Sequence, residues 1–572
     1  MLKVSILDGY IDEPTCLGVP PYISPYPRYL AGAVYSFDKK ANVCYYTIDQ
    51  IRNKKELIYD LNKSDLLIVI AGMAVPGKYL SGYPASPNEI LSIINNCPNP
   101  FKMLSGPAAR YGFGISGGHK TKEISSLNDS FDIIAKGDGE IIIYEFLKNK
   151  LSYDKIKTDL YRENAHSISD YAILGAKIVT QHPYFPSYLI TEIETYRGCA
   201  RTLVGGCSFC SEPSKGFPEF RHIDDIISEV KALYQNGIKH FRIGNQPCIF
   251  SYMSIDAGKK ERPRPNPDAI EKLFKGIRQV APNLKILHID NANPGVIAEY
   301  PKESEKIAKT IVKYHTPGDV AALGVESADP DVIDKNNLKA SPGEIFDAIR
   351  LINKVGAKRG SNGMSELLPG LNFVFGLIGE SKKTFDLNYK FLKDILDKGL
   401  LLRRINLRQV IPIPGTKMYD TGIKLVNKHK ADFKRFKKRV SEDIVRPMLK
   451  NLLPIGTILK DVYCEKADGK TIFGRQLGSY PLLIGIPGIS DLNKFIDVKI
   501  VDYGFRSITA IPHPLYVNEA SRETLEAVPG IGKKRAIRLL AGRPFKNKKH
   551  LLGSFDEQDA GKKALKFITI NE

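Results

Sequence analysis

With 572 residues the chain is too long for one compact core, and three or four domains are expected. Apolar residues make up 43% and charged residues 26%, as in an ordinary soluble protein, and the longest apolar run, Leu66 to Val75, falls well short of the ~18 residues of a membrane span. The net charge of +20 favours polyanionic partners, although a lysine-rich composition accounts for it as well.

The chain opens Met1-Leu2-Lys3-Val4-Ser5-Ile6-Leu7-Asp8, a strand rather than a charged stretch leading to an apolar core and cleavage site, so a cytoplasmic location is expected. Residues 1–150 alternate short β-branched runs (Val4 to Leu7, Val43 to Ile48, Leu66 to Ile70, Lys102 to Leu104, Ile133 to Ile134) with helical patterns such as Tyr29 to Phe37 and Glu89 to Asn95. That rhythm predicts a doubly wound parallel sheet. Residues 151–185 read as a linker. Over 186–445 a second α/β series follows, with strands at Ile190 to Tyr196, His240 to Gly244, Lys285 to Ile289, Ala321 to Val325, Asn372 to Phe375 and Asn406 to Ile411. Helices at Ile223 to Tyr234, Ile270 to Val280 and Pro342 to Val355 alternate with them, which predicts a partial (β/α) barrel with its reactive face at the strand C-termini. Ala431 to Arg446 is a basic helix, 446–512 reads as a small β-barrel, and 513–572 is helical and basic. The fold class is therefore α/β.

Eight cysteines are too few for a disulfide scaffold. Cys16, Cys44, Cys97, Cys248 and Cys464 are scattered, whereas Cys199, Cys207 and Cys210 fall within twelve residues, just after a strand. Three neighbouring thiolates can each hold one iron of a cubane and leave a fourth iron open to a ligand. The duller alternatives are a structural zinc site, with His222 or Cys248 as fourth ligand, and idle thiols.

The segment Tyr196-Arg197-Gly198-Cys199, Ala200 to Gly206, Cys207-Ser208-Phe209-Cys210 resembles the cluster loop of the radical S-adenosylmethionine (SAM) superfamily. It departs from the usual x3-then-x2 spacing by an insertion at Arg201 to Val204. Further landmarks follow in order. Gly324-Val325-Glu326-Ser327 resembles the fourth-strand motif, Asn372 to Glu380 the fifth-strand segment, and Ile411-Pro412-Ile413-Pro414-Gly415 the sixth-strand turn near the adenine. Gly244 stands where a turn meets the cofactor's amino group. The resemblance implies a [4Fe-4S] cluster on Cys199, Cys207 and Cys210, and SAM against Phe209, Gly244, Glu326, Ser327, Gly376 and Ile411. It also implies a 5′-deoxyadenosyl radical and an electron donor such as ferredoxin or flavodoxin. No residue of the substrate chemistry is assigned.

Residues 1–150 resemble the cobalamin-binding-type domain that precedes many such enzymes. The Asp-x-His-x-x-Gly motif for cobalt's lower ligand is absent and His119 lacks its context, which argues against cobalamin. Cys16, Cys44 and Cys97 do not match the second-cluster cysteines of methylthiotransferases and read as small hydrophobes. Leu525 to Ala536 matches the helix–hairpin–helix pattern. The expected phosphate grip there is Gly530, Gly532, Lys533, Lys534 and Arg535, and the competing reading is an ordinary αα turn. The 446–512 barrel is placed like the RNA-binding TRAM domain of methylthiotransferases, or it is a structural barrel. The whole resembles an uncharacterised archaeal group of radical enzymes. It predicts an enzyme modifying tRNA or other RNA, with no membrane partner. The alternatives are action on a small metabolite or protein side chain, including cobalamin-assisted methylation, and a non-catalytic nucleic-acid-binding iron–sulfur protein.

Overall fold

The computed structural model describes residues 1–13, 16–72, 82–114, 117–121, 124–149 and 156–571. The strands that position the site are β1 (Lys3–Asp8), β2 (Tyr22–Ile23), β3 (Asn42–Thr47), β4 (Leu66–Ile70), β5 (Phe101–Ser105), β6 (Ile133–Ile134), β7 (Ile190–Glu194), β8 (His240–Gly244), β9 (Ile286–Ile289), β10 (Asn291–Ala292), β11 (Asp319–Glu326), β12 (Leu367–Phe375) and β13 (Arg404–Gln409). They are followed by β14 (Ile458–Asp468), β15 (Thr471–Gln476), β16 (Leu483–Pro487), β17 (Phe495–Tyr503) and β18 (Ser507–Pro512).

The N-terminal sheet is parallel, in the order β3-β1-β4-β5-β6, a doubly wound arrangement. Every residue of β4 is buried, as a strand covered on both faces requires. The apolar run ends as a strand at Ile70, and residues 73–75 of that stretch lie outside the described residues. The exposed edge at β3 is closed by Gln181, which accepts from the Tyr45 N–H at 2.7 Å and donates to the Val43 carbonyl at 3.0 Å. Gln181 belongs to the 156–185 stretch, whose described residues fold into short helical turns and pack on the N-terminal sheet and its first helix.

The central strands form two four-stranded sheets, β2-β7-β8-β9 and β10-β11-β12-β13, joined through the single residue Asp290. Together they make the expected partial barrel, with one addition. β2, from the N-terminal domain, pairs in parallel with β7 and extends the barrel edge. Helix Pro25–Phe37 then runs between the two domains, and its Arg28 bonds the barrel residue Glu229 and the Glu192 carbonyl.

The basic segment is helical over Lys430–Val440 and continues through a π turn to Leu452, so the small barrel begins at Ile458 rather than at 446. It is a closed barrel in the order β14-β15-β16-β18-β17. Its β15–β16 loop plugs the partial barrel. Gly478 accepts from the Tyr22 hydroxyl at 2.7 Å, the Ser479 N–H donates to His288 Nδ1 at 2.8 Å, and the Tyr480 hydroxyl donates to Asp290 at 2.6 Å. The terminal helical module buries its own apolar cluster and is tied to the barrel where Thr524 donates to the Pro487 carbonyl at 2.9 Å. No helix is long and apolar enough to cross a membrane among the described residues.

Candidate functional site

Strand β7 leads through Tyr196–Arg197 into the cysteine loop, which protein contacts hold in place. Gly198 (φ +82°) donates to Glu212 at 2.9 Å, and the Cys199 N–H donates to the Gly216 carbonyl at 3.0 Å. The insertion forms one 3-10 turn, Ala200–Val204. Arg201 folds back from it onto Glu261 at 2.6 Å and onto the carbonyl and side chain of Asn337 at 2.7 and 2.8 Å. Asn337 in turn donates to the Val204 and Gly206 carbonyls, both at 2.8 Å. The extra residues therefore leave the path between Cys199 and Cys207 as a braced excursion. Beyond it the Ser208 hydroxyl donates to Asn336 at 2.6 Å, and the Ser208 carbonyl accepts from the Met418 N–H at 3.0 Å.

Because Asn337 has φ +48°, a conformation that asparagine tolerates and branched residues do not, Asn337→Val is expected to lower the melting temperature and the iron retained per chain. Asn337→Gly should lose less, since it relieves the backbone while giving up only the side-chain bonds. Iron assay after anaerobic reconstitution measures this.

Cys199, Cys207 and Cys210 line one cavity of about 250 Å³ at the C-terminal ends of the barrel strands. Of the residues expected to face a cofactor, Phe209, Glu326 and Ile411 line this cavity. Gly244, Ser327 and Gly376 stand behind its wall. A Cβ on Gly244 would fall 1.7 Å from Glu192 Oε1, so that glycine makes room for the buried Glu192–Arg242 pair. The Ser327 hydroxyl accepts from the Asp329 N–H at 3.1 Å in the turn before helix Pro330–Lys335, and the Gly376 N–H donates to Glu380 at 2.7 Å. Glu326 lies in a bulge with φ +62°, a strained geometry of the kind that clusters at functional sites.

Lys339, which no local pattern singles out, places its ammonium 3.8 Å from Glu326 on the same cavity wall. Burial pushes all three thiols up, Cys199 to about 11, while Lys339 and Arg201 pull Cys207 back. Metal loading therefore releases protons. Among the described residues no three His, Cys, Asp or Glu side chains converge as ligands of a single ion would, whereas a cubane takes each thiolate on a separate iron. His222, the candidate fourth zinc ligand, is exposed at the start of helix Ile223–Gln235, its ring 6.2 Å from that of His166. Cys248 lines the cavity, but its sulfur accepts the Asn293 N–H at 3.1 Å.

Residues 193–392 match the radical SAM superfamily, and residues 515–542 match the helix-hairpin-helix motif. The chain belongs to the radical SAM superfamily. An uncharacterized protein of Methanocaldococcus jannaschii is 51% identical over 511 residues, covering 89% of this chain and 92% of that protein. One from Archaeoglobus fulgidus is 44% identical over 572 residues, covering 100% and 99%. A tRNA-2-methylthio-N(6)-dimethylallyladenosine synthase from Fervidobacterium nodosum is 27% identical over 263 residues, covering 43% of this chain and 53% of that enzyme. Among solved structures, the radical SAM methyltransferase TsrM from Kitasatospora setae aligns with a TM-score of 0.47 and 13% identity, covering 73% of this chain and 75% of TsrM.

This radical SAM enzyme carries the thiols that fit the family's [4Fe-4S] cluster on one wall of the cavity. Cys199, Cys207 and Cys210 would hold the cluster, which with SAM would supply the radical chemistry of the superfamily. The protein's own part is to fix the loop through Arg201, Asn336 and Asn337, to balance thiolate charge with Lys339, and to shield the cavity from water. Two other domains close that cavity, because Asp12 and Glu13 line it from the N-terminal domain and Tyr480 from the small barrel.

In the C-terminal module, Gly530 (φ +91°) makes the hairpin turn and Gly532 caps helix Lys533–Ala541. Nothing lies within 4 Å of where a Cβ on Gly532 would stand, and Lys533 and Lys534 are exposed beside it. Arg535 is engaged differently from the sequence expectation. It pairs with Asp556 at 2.6 Å and Glu557 at 3.0 Å and so braces the hairpin. On the basic helix, Arg435, Lys438 and Arg439 are matched by Asp432, Glu442 and Asp443 one turn away, which dilutes its charge as a polyanion track.

Proposed function

We propose that this radical SAM enzyme modifies RNA, with tRNA as the leading candidate, in the cytoplasm and with electrons from a ferredoxin or flavodoxin. The observation that carries the reading is the open helix start at Gly532, Lys533 and Lys534. The helix-start N–H groups and two ammonium groups with no carboxylate partner among the described residues suit a phosphate without reading sequence. The tRNA-acting relative supports the same class of substrate. The small barrel serves in this scheme as the plug of the catalytic domain.

Lys533→Ala together with Lys534→Ala is expected to weaken RNA binding at low salt and to reduce the slope of log affinity against log salt by about 2, one for each lost phosphate contact. Filter binding with host tRNA over a salt series measures it. Nucleoside mass spectrometry of RNA from a deletion strain identifies the modified base. An unchanged nucleoside profile, with no salt-sensitive RNA binding by the purified enzyme, would turn the reading toward a small molecule or a protein side chain.

A further inference from the structure

We infer that Arg404 and Arg408 form a subsite for an oxyanion of the substrate, a phosphate or a carboxylate, inside the cavity that holds the three cysteines. The inference rests on membership of the radical SAM superfamily and goes beyond the RNA reading without requiring it.

Strand parity places the pair. Arg404, Asn406 and Arg408 occupy alternate positions of β13, point to one face and all line the cavity. Across the strand pair they stand beside Gly370, Asn372 and Val374 of β12. Inward positions of a barrel strand are normally filled by branched apolar side chains, yet here they read Arg, Asn, Arg. Asn406 lies between the two guanidiniums, 3.2 Å from Arg404 Nη2 and 2.5 Å from Arg408 Nε when its amide oxygen faces them. Arg404 is also stacked on the Tyr480 ring, 3.8 Å from its centroid. The two cations are thus held in fixed geometry by neutral groups.

Neither guanidinium has a carboxylate within 4.0 Å among the described residues, in contrast to Arg242 in the same cavity, which bonds both Glu192 and Asp290. Glu326 is the partner of Lys339 at 3.8 Å, and Glu261 that of Arg201 at 2.6 Å. Asp12 and Glu13 line the cavity from the N-terminal domain. The nearest opposite charges, Asp290 towards Arg404 and Glu326 towards Arg408, are already paired with Arg242 and Lys339, so the two recessed guanidiniums repel each other and lose hydration, a cost that a bound anion reduces. Their forked donors suit the oxygens of a phosphate or carboxylate. Sharing the cavity with Cys199, Cys207 and Cys210, an anion held there anchors one end of a substrate whose remainder reaches the radical.

The test uses cluster-loaded enzyme with saturating SAM, kept anaerobic, and follows melting temperature against inorganic phosphate and against malonate, with potassium chloride at matched ionic strength as reference. A rise with either anion, beyond that in chloride, is expected for the wild type. Phosphate alone points to a phosphorylated substrate unit, and malonate alone to a carboxylate. The rise should vanish in Arg404→Gln and in Arg408→Gln and persist in the Lys533→Ala, Lys534→Ala double variant, which removes surface phosphate contacts. Without any added anion, Arg408→Gln should melt no lower than wild type and keep its iron, because it relieves repulsion. An equal rise in the arginine variants, no rise in the wild type, a rise seen only without SAM, or an anion-free loss of stability with loss of iron would each overturn the subsite. Failure of the RNA reading would show instead in tRNA binding, leaving this anion response intact.

Discussion

Cys199→Ala, Cys207→Ala and Cys210→Ala should each give folded protein that carries no intact four-iron cluster and forms no 5′-deoxyadenosine from SAM under reducing conditions, while Cys248→Ala keeps both. The contrast follows from what holds each sulfur. The three loop cysteines line the cavity with their thiolates favoured by Arg201 and by the backbone at Arg201 and Glu212, all within the loop itself, whereas the Cys248 sulfur stands outside the loop and accepts the Asn293 N–H. The loop survives loss of one thiol because Arg201, Asn336 and Asn337 fix its backbone from outside. Secondary structure by circular dichroism should therefore be unchanged while iron and sulfide fall together. Zinc in anaerobically purified protein, or deoxyadenosine formation by the variant lacking all three thiols, would remove the basis of the assignment.

Much of this was readable in the sequence wherever one local signal sufficed. Leu66 to Ile70 and His240 to Gly244 were expected as strands and form them with those bounds, the first because an uninterrupted apolar run has no competing periodicity, the second because Phe241 and Ile243 alternate with His240 and Arg242. The cysteine loop was legible from spacing and its flanking strand. β13 was misplaced by two residues, expected over Asn406 to Ile411 and found over Arg404–Gln409. A charged residue at a strand's start looks like a loop, and nothing local says that the interior of this barrel is polar. The alternation of Arg404, Asn406 and Arg408 with Ile405 and Leu407 was the available signal. Helix Pro25–Phe37 starts four residues before the expected Tyr29, because Pro25 fits a first helical turn and its periodic face begins later. β2 is two residues long and exists only because β7 offers it an edge. Lys339, Asn337 and Tyr480 reach the site through packing between distant segments, so no window of sequence contains them together with the groups they touch.

Glu229→Ala is expected to be the most damaging single substitution for stability, although in sequence Glu229 looks like an ordinary charge within helix Ile223–Gln235. Its carboxylate is fully buried and takes hydrogen bonds from Arg28 of the N-terminal domain and from Arg221 at 2.6 Å, with the Tyr29 hydroxyl at 3.4 Å. Arg28 and Arg221 also bond the Glu192 and Glu194 carbonyls, on the strand that leads to Cys199. Removing the carboxylate strands two buried cations and should cost about 3–5 kcal/mol, with iron retention falling alongside because the strand is released. Glu229→Gln keeps an acceptor and should lose less. The sign of the pH effect follows from the same geometry. Burial alone would push this carboxyl up, but Arg221 and Arg28 hold it below the usual carboxylate range. Its stabilisation is therefore present above the unfolded-state value, about 4.3, and is lost as pH falls through the lowered folded-state value. Denaturant melts from neutral pH down to about 3 should show wild type and Glu229→Gln converging at the acid end. Parallel curves at all pH values would mean that folding leaves the proton affinity of this carboxyl unchanged, and the coupling between the two domains would then need another source.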